Sequence, residues 1–550
     1  MPQTETTIME DIYNTDIRLP AEILLMICSH MSKQDQLRSR LASRKLNYAA
    51  TIHVFQSLRL MPEGKSSKHF QAISLSDTLR PFVKEVTIDT ERIQNKPGVE
   101  GGHETWALFG DFYNSLPHMR FFQNLTRLHI RLKEFSMPFT RYSMETDIWK
   151  QFRVLDAISC VVTGLWTQDY ENNDDQVQEG IEQATHCDQI SPSGQPLKIK
   201  ELTVSNLVTF KTRSLNESEA WNKLLRLPTL VDLKCLIGEK YGLQRYDSLH
   251  CAHRENFFQS LPSQSLSPKV VEKLQVLSLF HSDYWGWFPR MDLTEIGALP
   301  NLKVLALGHY VFTDQRQTDW IASLGTSSKS GGLEELYLDG CAILYRANQF
   351  GPLASDGYPV RSTVSDGLDR RELSLSLRPV IEDRLYITRW HGVLSGWRVT
   401  MTGLKKMVMG TGDRDCPFLT SEAVLQQEGS AHIGDLEMQW LFRHNRHRYF
   451  ACPEPEELGI RAGESDQTRR DKAKNATPGK YLHGTGLLQK RRTRMQYVSY
   501  DVTLDIPWRI MDRGMDDDAV GVEAPEGETI KFDDAAYALL METIRDRLRS

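Results

Sequence analysis

Three short segments, LQVLSL at 274–279, LKVLAL at 302–307 and LEELYL at 333–338, share one pattern: apolar, two free positions, apolar, one free position, apolar. The last three positions alternate apolar, polar, apolar and are rich in Leu and Val, which reads as a short strand. Working outward, the pattern returns in VKEVTI at 83–88, LTRLHI at 125–130, IKELTV at 199–204, LVDLKC at 230–235 and LKKMVM at 404–409. Between the strands lie helix-like stretches such as NESEAWNKLLRLP at 216–228 and DLTEIGALP at 292–300, each closed by a proline-containing loop. A unit of strand, loop and helix cannot bury its apolar side alone. Stacked copies bury one continuous core and display a curved ladder of strands. One such segment arises by chance in any leucine-containing chain; eight in order favour a repeat architecture over an irregular α/β body.

The spacing of residues 274, 302 and 333 is 28 and then 31 residues, in or just above the range of leucine-rich repeats. Ahead of the repeats stands LPAEILLMICSHM at 19–31, where Ile23, Leu24, Ile27, Cys28 and Met31 recur at helical spacing. Pro20 falls where the first helical turn tolerates a missing N–H. Ser32 and Asp35 then form a capping-box-like pair, and Leu37, Leu41 and Leu46 continue a second apolar stripe interrupted near Ser43. A piece of roughly forty residues buries too little apolar surface to stand alone, so its exposed Leu and Pro side chains are natural docking surface.

The stretch LPAEILLMICSHMSKQDQLRSRLASRKLNYAATIHVFQSLRL at 19–60 resembles an F-box, in the form found at the start of many fungal F-box proteins. Leu19, Pro20, Glu22, Ile23, Leu24, Ser32, Asp35, Leu41, Ser43, Arg44, Phe55, Ser57, Leu58 and Leu60 match the family pattern position by position. Gln36 and Ser39 depart from it, standing where leucine is usual, and a local register shift lets Leu37 substitute. The resemblance implies docking onto the Skp-family adaptor of a cullin–RING ubiquitin ligase. It gives that role to Leu19, Pro20, Ile23 and Leu24, with Ile27, Leu37 and Leu41 extending the adaptor-binding set. Burying each such side chain is worth about 1.5–3 kcal/mol. LEELYLDGCAILY at 333–345, RWHGVLSGW at 389–397 and LKKMVMG at 404–410 resemble the closing section of fungal F-box leucine-rich proteins, where the Arg-Trp-His stretch opens a helix before the last strand.

The expected fold is therefore an α+β or α/β repeat: a small all-helical F-box at 16–60, then an irregular leucine-rich-repeat solenoid over 75–450. Polar segments at 170–197 and 452–495 and the amino-terminal residues 1–15 read as disordered or mobile. The last part, 496–550, reads as a strand and a helix packing on the body. Within DDAAYALLMETIRDRL at 533–548, Ala536, Leu539, Leu540 and Ile544 fall on one face.

Bulk properties narrow the function. The 550 residues are 40% hydrophobic and 25% charged, the composition of an ordinary globular protein. A net charge of -6, from 72 acidic and 66 basic residues, offers no domain-wide basic footprint for nucleic acid. The amino terminus lacks the features of a secretory signal, and there is no run of about 18 apolar residues to span a membrane. Eight cysteines without a C-x-x-C pair suggest reduced thiols in the cytoplasm, the nucleus or both.

Phosphate-loop, dinucleotide, zinc-protease, serine-hydrolase and kinase signatures are all missing, so neither a catalytic site nor a cofactor is expected. His432, His444, His447 and Cys452 come nearest to a metal set, and HNRHR reads more simply as a solvated turn. Lys490, Arg491, Arg492 and Arg494 could serve nuclear import or a phosphate contact, or be merely solvated. In HSDYWGWFPR at 281–290, Tyr284, Trp285, Trp287 and Phe288 are candidates for substrate binding, against the alternative that the rings fill core between repeats. The functional expectation is a substrate-recognition subunit that docks on the Skp-type adaptor and holds a protein substrate, catalysis being proximity supplied by partners. A scaffold outside any ligase is the alternative.

Overall fold

Leucine-rich stripes at the amino-terminal end form three helices, α1 (Ala21–Ser29), α2 (Lys33–Ser39) and α3 (Arg44–Gln56), and α3 runs without a linker into strand β1 (Ser57–Leu60). The computed structural model describes residues 19–31, 33–62, 65–90, 111–132, 141–166, 194–209, 218–238, 248–326, 332–360, 381–410, 450–451, 479–480, 495–503, 507–511, 525 and 527–549. The expectations for 1–15, for most of 170–197 and 452–495, for the His432, His444, His447 and Cys452 set and for the Lys490–Arg494 run lie outside these residues.

After helix α4 (Ser66–Leu75), the chain lays down β2 (Glu85–Asp89), β3 (Arg127–Arg131), β4 (Glu201–Leu207), β5 (Asp232–Ile237), β6 (Val276–Trp285), β7 (Val304–Phe312) and β8 (Glu335–Asp339). Each pairs parallel with the one before it, starting from β1, so spatial order follows chain order. Parallel neighbours require crossovers. These include α5 (Arg141–Thr163), α6 (Glu219–Leu225), α7 (Ser248–Ser260), α8 (Pro268–Val271) and α9 (Gln315–Leu324). Beyond β8 come β9 (Ala342–Phe350), β10 (Ile381–Leu385) and α10 (Trp390–Thr400), and then β11 (Lys406–Gly410), which pairs parallel with β8.

All eight segments quoted from the sequence are strands of this ladder, and the register shows why. The middle apolar position forms one row across the sheet: Val86, Leu128, Leu202, Leu233, Leu277, Leu305, Leu336 and Met407, with Leu58 of β1 ahead of them. The last position forms a parallel row from Leu60 and Ile88 to Leu338 and Met409. Both rows are buried, as are the first positions Val83, Leu125, Ile199, Leu230, Leu274, Leu302, Leu333 and Leu404. Side chains two apart share a sheet face, so every strand contributes the same pair to one continuous core.

Four residues beyond the middle apolar position the backbone turns through left-handed conformations, at Asn206 (φ 61°) within β4, His309 (φ 56°) within β7 and Gly340 (φ 59°) just after β8. Asn206 Nδ2 donates to the Leu132 carbonyl at 2.9 Å, and His309 Nδ1 pairs with the His281 carbonyl at 2.8 Å. Leu132 and His281 occupy the same position on the preceding strands. These polar side chains thus satisfy buried carbonyls one strand back, as rungs between neighbours.

The ladder forks at β7. Its first half pairs with β8, while Val311 and Phe312 pair with Ala342 and Ile343 of β9. On β9 assemble β10, antiparallel, and β14 (Gln496–Asp501), parallel; β15 (Trp508–Met511) follows as the antiparallel partner of β14. A separate two-stranded pair is formed by β12 (Phe450–Ala451) and β13 (Gly479–Lys480). The closing helix α11 (Gly527–Arg549) packs along α10, where Asp533 accepts from the His391 N–H at 2.7 Å and from the Tyr497 hydroxyl at 2.8 Å.

Two local expectations need correction. DLTEIGALP is no helix but a short 3-10 turn, Leu293–Ile296, ended by Gly297 at φ 81°. In α11 the buried line is Asp533, Ala536, Leu540 and Ile544, leaving Leu539 exposed. One residue is about 100° around a helix, so Leu539 cannot share the face of Leu540.

Removing a rung tests the ladder. Asn206→Gly is expected to cost about 1–3 kcal/mol by stranding the Leu132 carbonyl. Asn206→Ala is expected to cost about 1–2 kcal/mol more, because alanine tolerates the left-handed backbone poorly. Urea unfolding of both variants measures the difference.

Candidate functional site

Pro20 precedes α1 with ψ 151° and with φ -56°, which its ring imposes, and Glu22 sits in the first turn, where its charge complements the helix dipole. The inward line of α1, Leu24 and Cys28, packs on Ala49 and Ala50 of α3 in a small core of its own. Ser43 caps α3 by accepting from the Leu46 N–H at 3.2 Å. His53 reaches the Leu25 carbonyl at 3.0 Å, tying α3 back to α1. The expected capping pair is only half described: Asp35 lies in the first turn of α2 and accepts from Arg38 at 3.3 Å, while Ser32 is outside the described residues.

The Gln36 departure has a structural reason. Its side chain is buried, and Nε2 donates to the carbonyls of Cys28 at 2.8 Å and Met31 at 3.2 Å. These are carbonyls at and just beyond the end of α1, where the helix offers no N–H four residues on; the Cys28 carbonyl also accepts from the Met31 N–H at 3.2 Å. Gln36 therefore joins α2 to α1 by hydrogen bonds where a leucine would do so by apolar contact. Its neighbour Leu37 points outward.

The small core leaves an apolar outer surface. Leu19, Pro20, Ile27 and Leu37 are exposed, Leu41 is 89% exposed, and Ile23 is half-buried. Leu24 is a correction: at 3% exposure it supports the hairpin from within and offers nothing to a partner. It falls beside Cys28 on the inner face, whereas Ile23 and Ile27 take the outer one. Met26 and Tyr48 are exposed as well and were not singled out. Helical phase, with Met26 three residues after Ile23, was the available signal for the first.

The aromatic candidates on the body are corrected more fully. Tyr284, Trp285 and Trp287 are buried, and Phe288 is partly buried. Trp287 Nε1 donates to the Gly357 carbonyl at 2.8 Å, and its ring packs on Tyr500 and Trp508. Trp285 Nε1 donates to the Gly308 carbonyl at 2.6 Å. Trp285 belongs to the main core, against Phe258 and Tyr310, whereas Tyr284 and Trp287 lie in the second core built with β9 and β14, and both indole N–H groups are satisfied. A substrate would have to open the core to reach them.

Opposite the core rows, the sheet carries charges that cancel one another. Glu85 pairs with Arg127 at 3.0 Å, and Asp89 with Arg131 at 3.3 Å and with Arg59. Lys234 lies between Glu201 at 2.9 Å and Asp232 at 2.7 Å. Burial pushes the Asp232 carboxyl up to about 6, against the pull of Lys234. For Glu201 burial is again the largest influence and acts in the same direction, but the charge and hydrogen bond of Lys234 together with His129 and Arg127 outweigh it, and the carboxyl stays below its ordinary range. From β6 onward this face becomes apolar and buried at Val304, Ala306 and Tyr337. Among the described residues no group of three or more metal-ligating side chains gathers, and no helix is long and apolar enough to cross a membrane.

Trp287→Ala is expected to lower stability by about 3–5 kcal/mol, as loss of a buried aromatic does. A thermal melt that left Tm unchanged would return this ring to the surface.

No curated protein matches the chain. Residues 17–57 match the family model of the F-box domain, over α1, α2, α3 and the start of β1, so the chain carries a helical F-box ahead of a mixed helix and strand body.

Proposed function

We propose that the chain is the substrate-recognition subunit of a Skp–cullin–F-box ubiquitin ligase, with the three-helix element docking on the Skp-type adaptor and the body holding a protein substrate. F-box domains bind Skp1-type adaptors in cullin–RING ligases, and residues 17–57 match that domain. The observation that carries the reading is the exposed apolar set Leu19, Pro20, Ile27, Leu37 and Leu41 on a hairpin whose own core is complete without them. In water such a set is unfavourable; against an apolar groove it is the main source of affinity.

The body is read as an irregular leucine-rich-repeat solenoid. Strands in chain order, parallel pairing, three buried apolar positions per strand and side-chain rungs between neighbours all support that architecture. The role is non-catalytic: the chain brings substrate and charged enzyme together, and the proximity does the work.

Co-expression with a Skp-family adaptor tests this. The wild-type chain is expected to form a stable complex, and the Leu19→Ala, Pro20→Ala, Ile27→Ala variant to bind about a hundredfold more weakly or not at all. Since these side chains lie outside the hairpin core, the variant is expected to keep its melting temperature. No complex with the wild-type chain would leave a scaffold outside the ligase as the function.

A further inference from the structure

Where β10 runs past the amino-terminal turns of α9 and α10, a cleft of about 740 Å³ opens, lined among others by Asp314, Arg316, Asp356, Arg384, Tyr386 and Arg389. At its rim Leu385 is exposed, and Ile387 is 93% exposed. Large aliphatic side chains left this open beside a cleft are unusual on a surface that meets only water.

The cleft borders an open sheet edge. Among the described residues β10 pairs with β9 alone, from Ile381 opposite Phe350 to Leu385 opposite Arg346. The Tyr386 N–H donates to the Tyr345 carbonyl at 2.9 Å. By the two-residue alternation of an antiparallel ladder, Arg384 and Glu382 also turn their backbone groups toward β9, and Ile381, Asp383 and Leu385 turn theirs outward. Among the described residues those outward groups find no backbone partner. Arg384 and Tyr386 lie along the cleft, so the open edge and the cleft form one surface.

Its charges do not all cancel: of the two carboxylates on β10, Glu382 is taken by the Leu353 N–H at 2.7 Å and Asp383 by Arg346 at 2.6 Å. Asp314 is engaged by Arg316 at 2.7 Å and by the first N–H groups of α9, and Asp356 by Arg290 at 3.5 Å and the Tyr358 N–H at 3.2 Å. Among the described residues Arg384 reaches the Ala354 carbonyl at 3.2 Å and the Tyr386 ring. Arg389 holds the Tyr386 and Thr388 carbonyls at 2.5 and 2.8 Å and lies over the Tyr345 ring. No carboxylate among the described residues pairs with either. The ion pairs on the open face of the main ladder, by contrast, are neutralised internally.

We infer that β10 and this cleft bind an extended acidic segment of a partner protein. The segment adds as a strand along β10, rests apolar side chains on Leu385 and Ile387, and sets carboxylates on Arg384 and Arg389. Backbone pairing supplies affinity, while the side chains on either side of the added strand supply selectivity. A basic strand would meet two like charges, and an uncharged one would leave both arginines without a counter-ion. On the ligase reading, on which this assignment of role rests, the partner is the substrate. The binding itself needs no adaptor, so the two ideas fail separately.

The probe is a fluorescein-labelled peptide of about ten residues, the upper end of ordinary strand length, alternating glutamate and valine. It is titrated with the full chain and followed by anisotropy. Saturable binding is expected, weakened at least about tenfold in the lysine–valine counterpart and in a peptide N-methylated at alternate residues. Arg384→Glu and Ile387→Asp are each expected to weaken it about tenfold with Tm unchanged, and Arg384→Glu to improve binding of the lysine–valine peptide. Equal binding of the two charge types, or undiminished binding in both variants, would overturn the proposal. So would the absence of binding. Indifference to N-methylation would overturn strand addition. Concentration-dependent self-association lost in Ile387→Asp would assign the edge to a second copy of the chain instead.

Discussion

Lateral register is the constraint on which the rest of this molecule depends. A parallel strand satisfies its backbone only through neighbours on both sides, and it buries apolar side chains only if they align with those of its neighbours. Here the middle and last apolar positions align from Leu58 and Leu60 to Met407 and Met409 without a slip across the nine strands. A shift of one residue in β3, for instance, would turn Arg127 and His129 into the core and move Leu128 and Ile130 to the opposite face. The crossovers are free to vary in length, from the single 3-10 turn before β7 to the 23-residue α5 before β4, because their length does not enter the register.

That constraint is also why so much of the ladder was legible. A strand with three buried apolar positions at fixed offsets must repeat them in sequence, and all eight segments found that way are strands. Of the second branch the sequence offered only a strand and a helix within 496–550; β9 is a single strand with no repeat, and its pairing with β14 spans more than 140 residues of chain. The aromatic cluster was misread for the same reason. Nothing local in HSDYWGWFPR tells that a hairpin from residues 496–511 will close over it. At the F-box, helical period identified the hairpin but not its inner face. Leu24 and Ile23 differ by one position, and only the contact with Ala49 and Ala50 decides which of them turns inward.

The F-box and the ladder share a chain segment rather than a hinge. Helix α3 passes its last residue, Gln56, directly to Ser57 of β1, whose Leu58 and Leu60 already belong to the main core. Lys84, leading into β2, donates its N–H to the Gln56 carbonyl, and Arg40 lies over the Phe55 ring, so the junction is held from both sides. Whatever docks on the outer face of the hairpin is thereby set at a defined angle to the sheet and to anything the sheet holds. In the proposed ligase this rigidity turns proximity into orientation.

The rungs at Asn206 and His309 have a further consequence. Each satisfies a carbonyl on the strand immediately before it, so the rungs couple nearest neighbours. Evolution can therefore lengthen or shorten such a chain by duplicating or deleting a whole unit, leaving the flanking units with equivalent partners. Insertion of one residue within a strand has no comparable remedy. The natural coinage of change in this protein is the unit of strand and crossover, and its loops, not its strands, are where lineages can diverge in length.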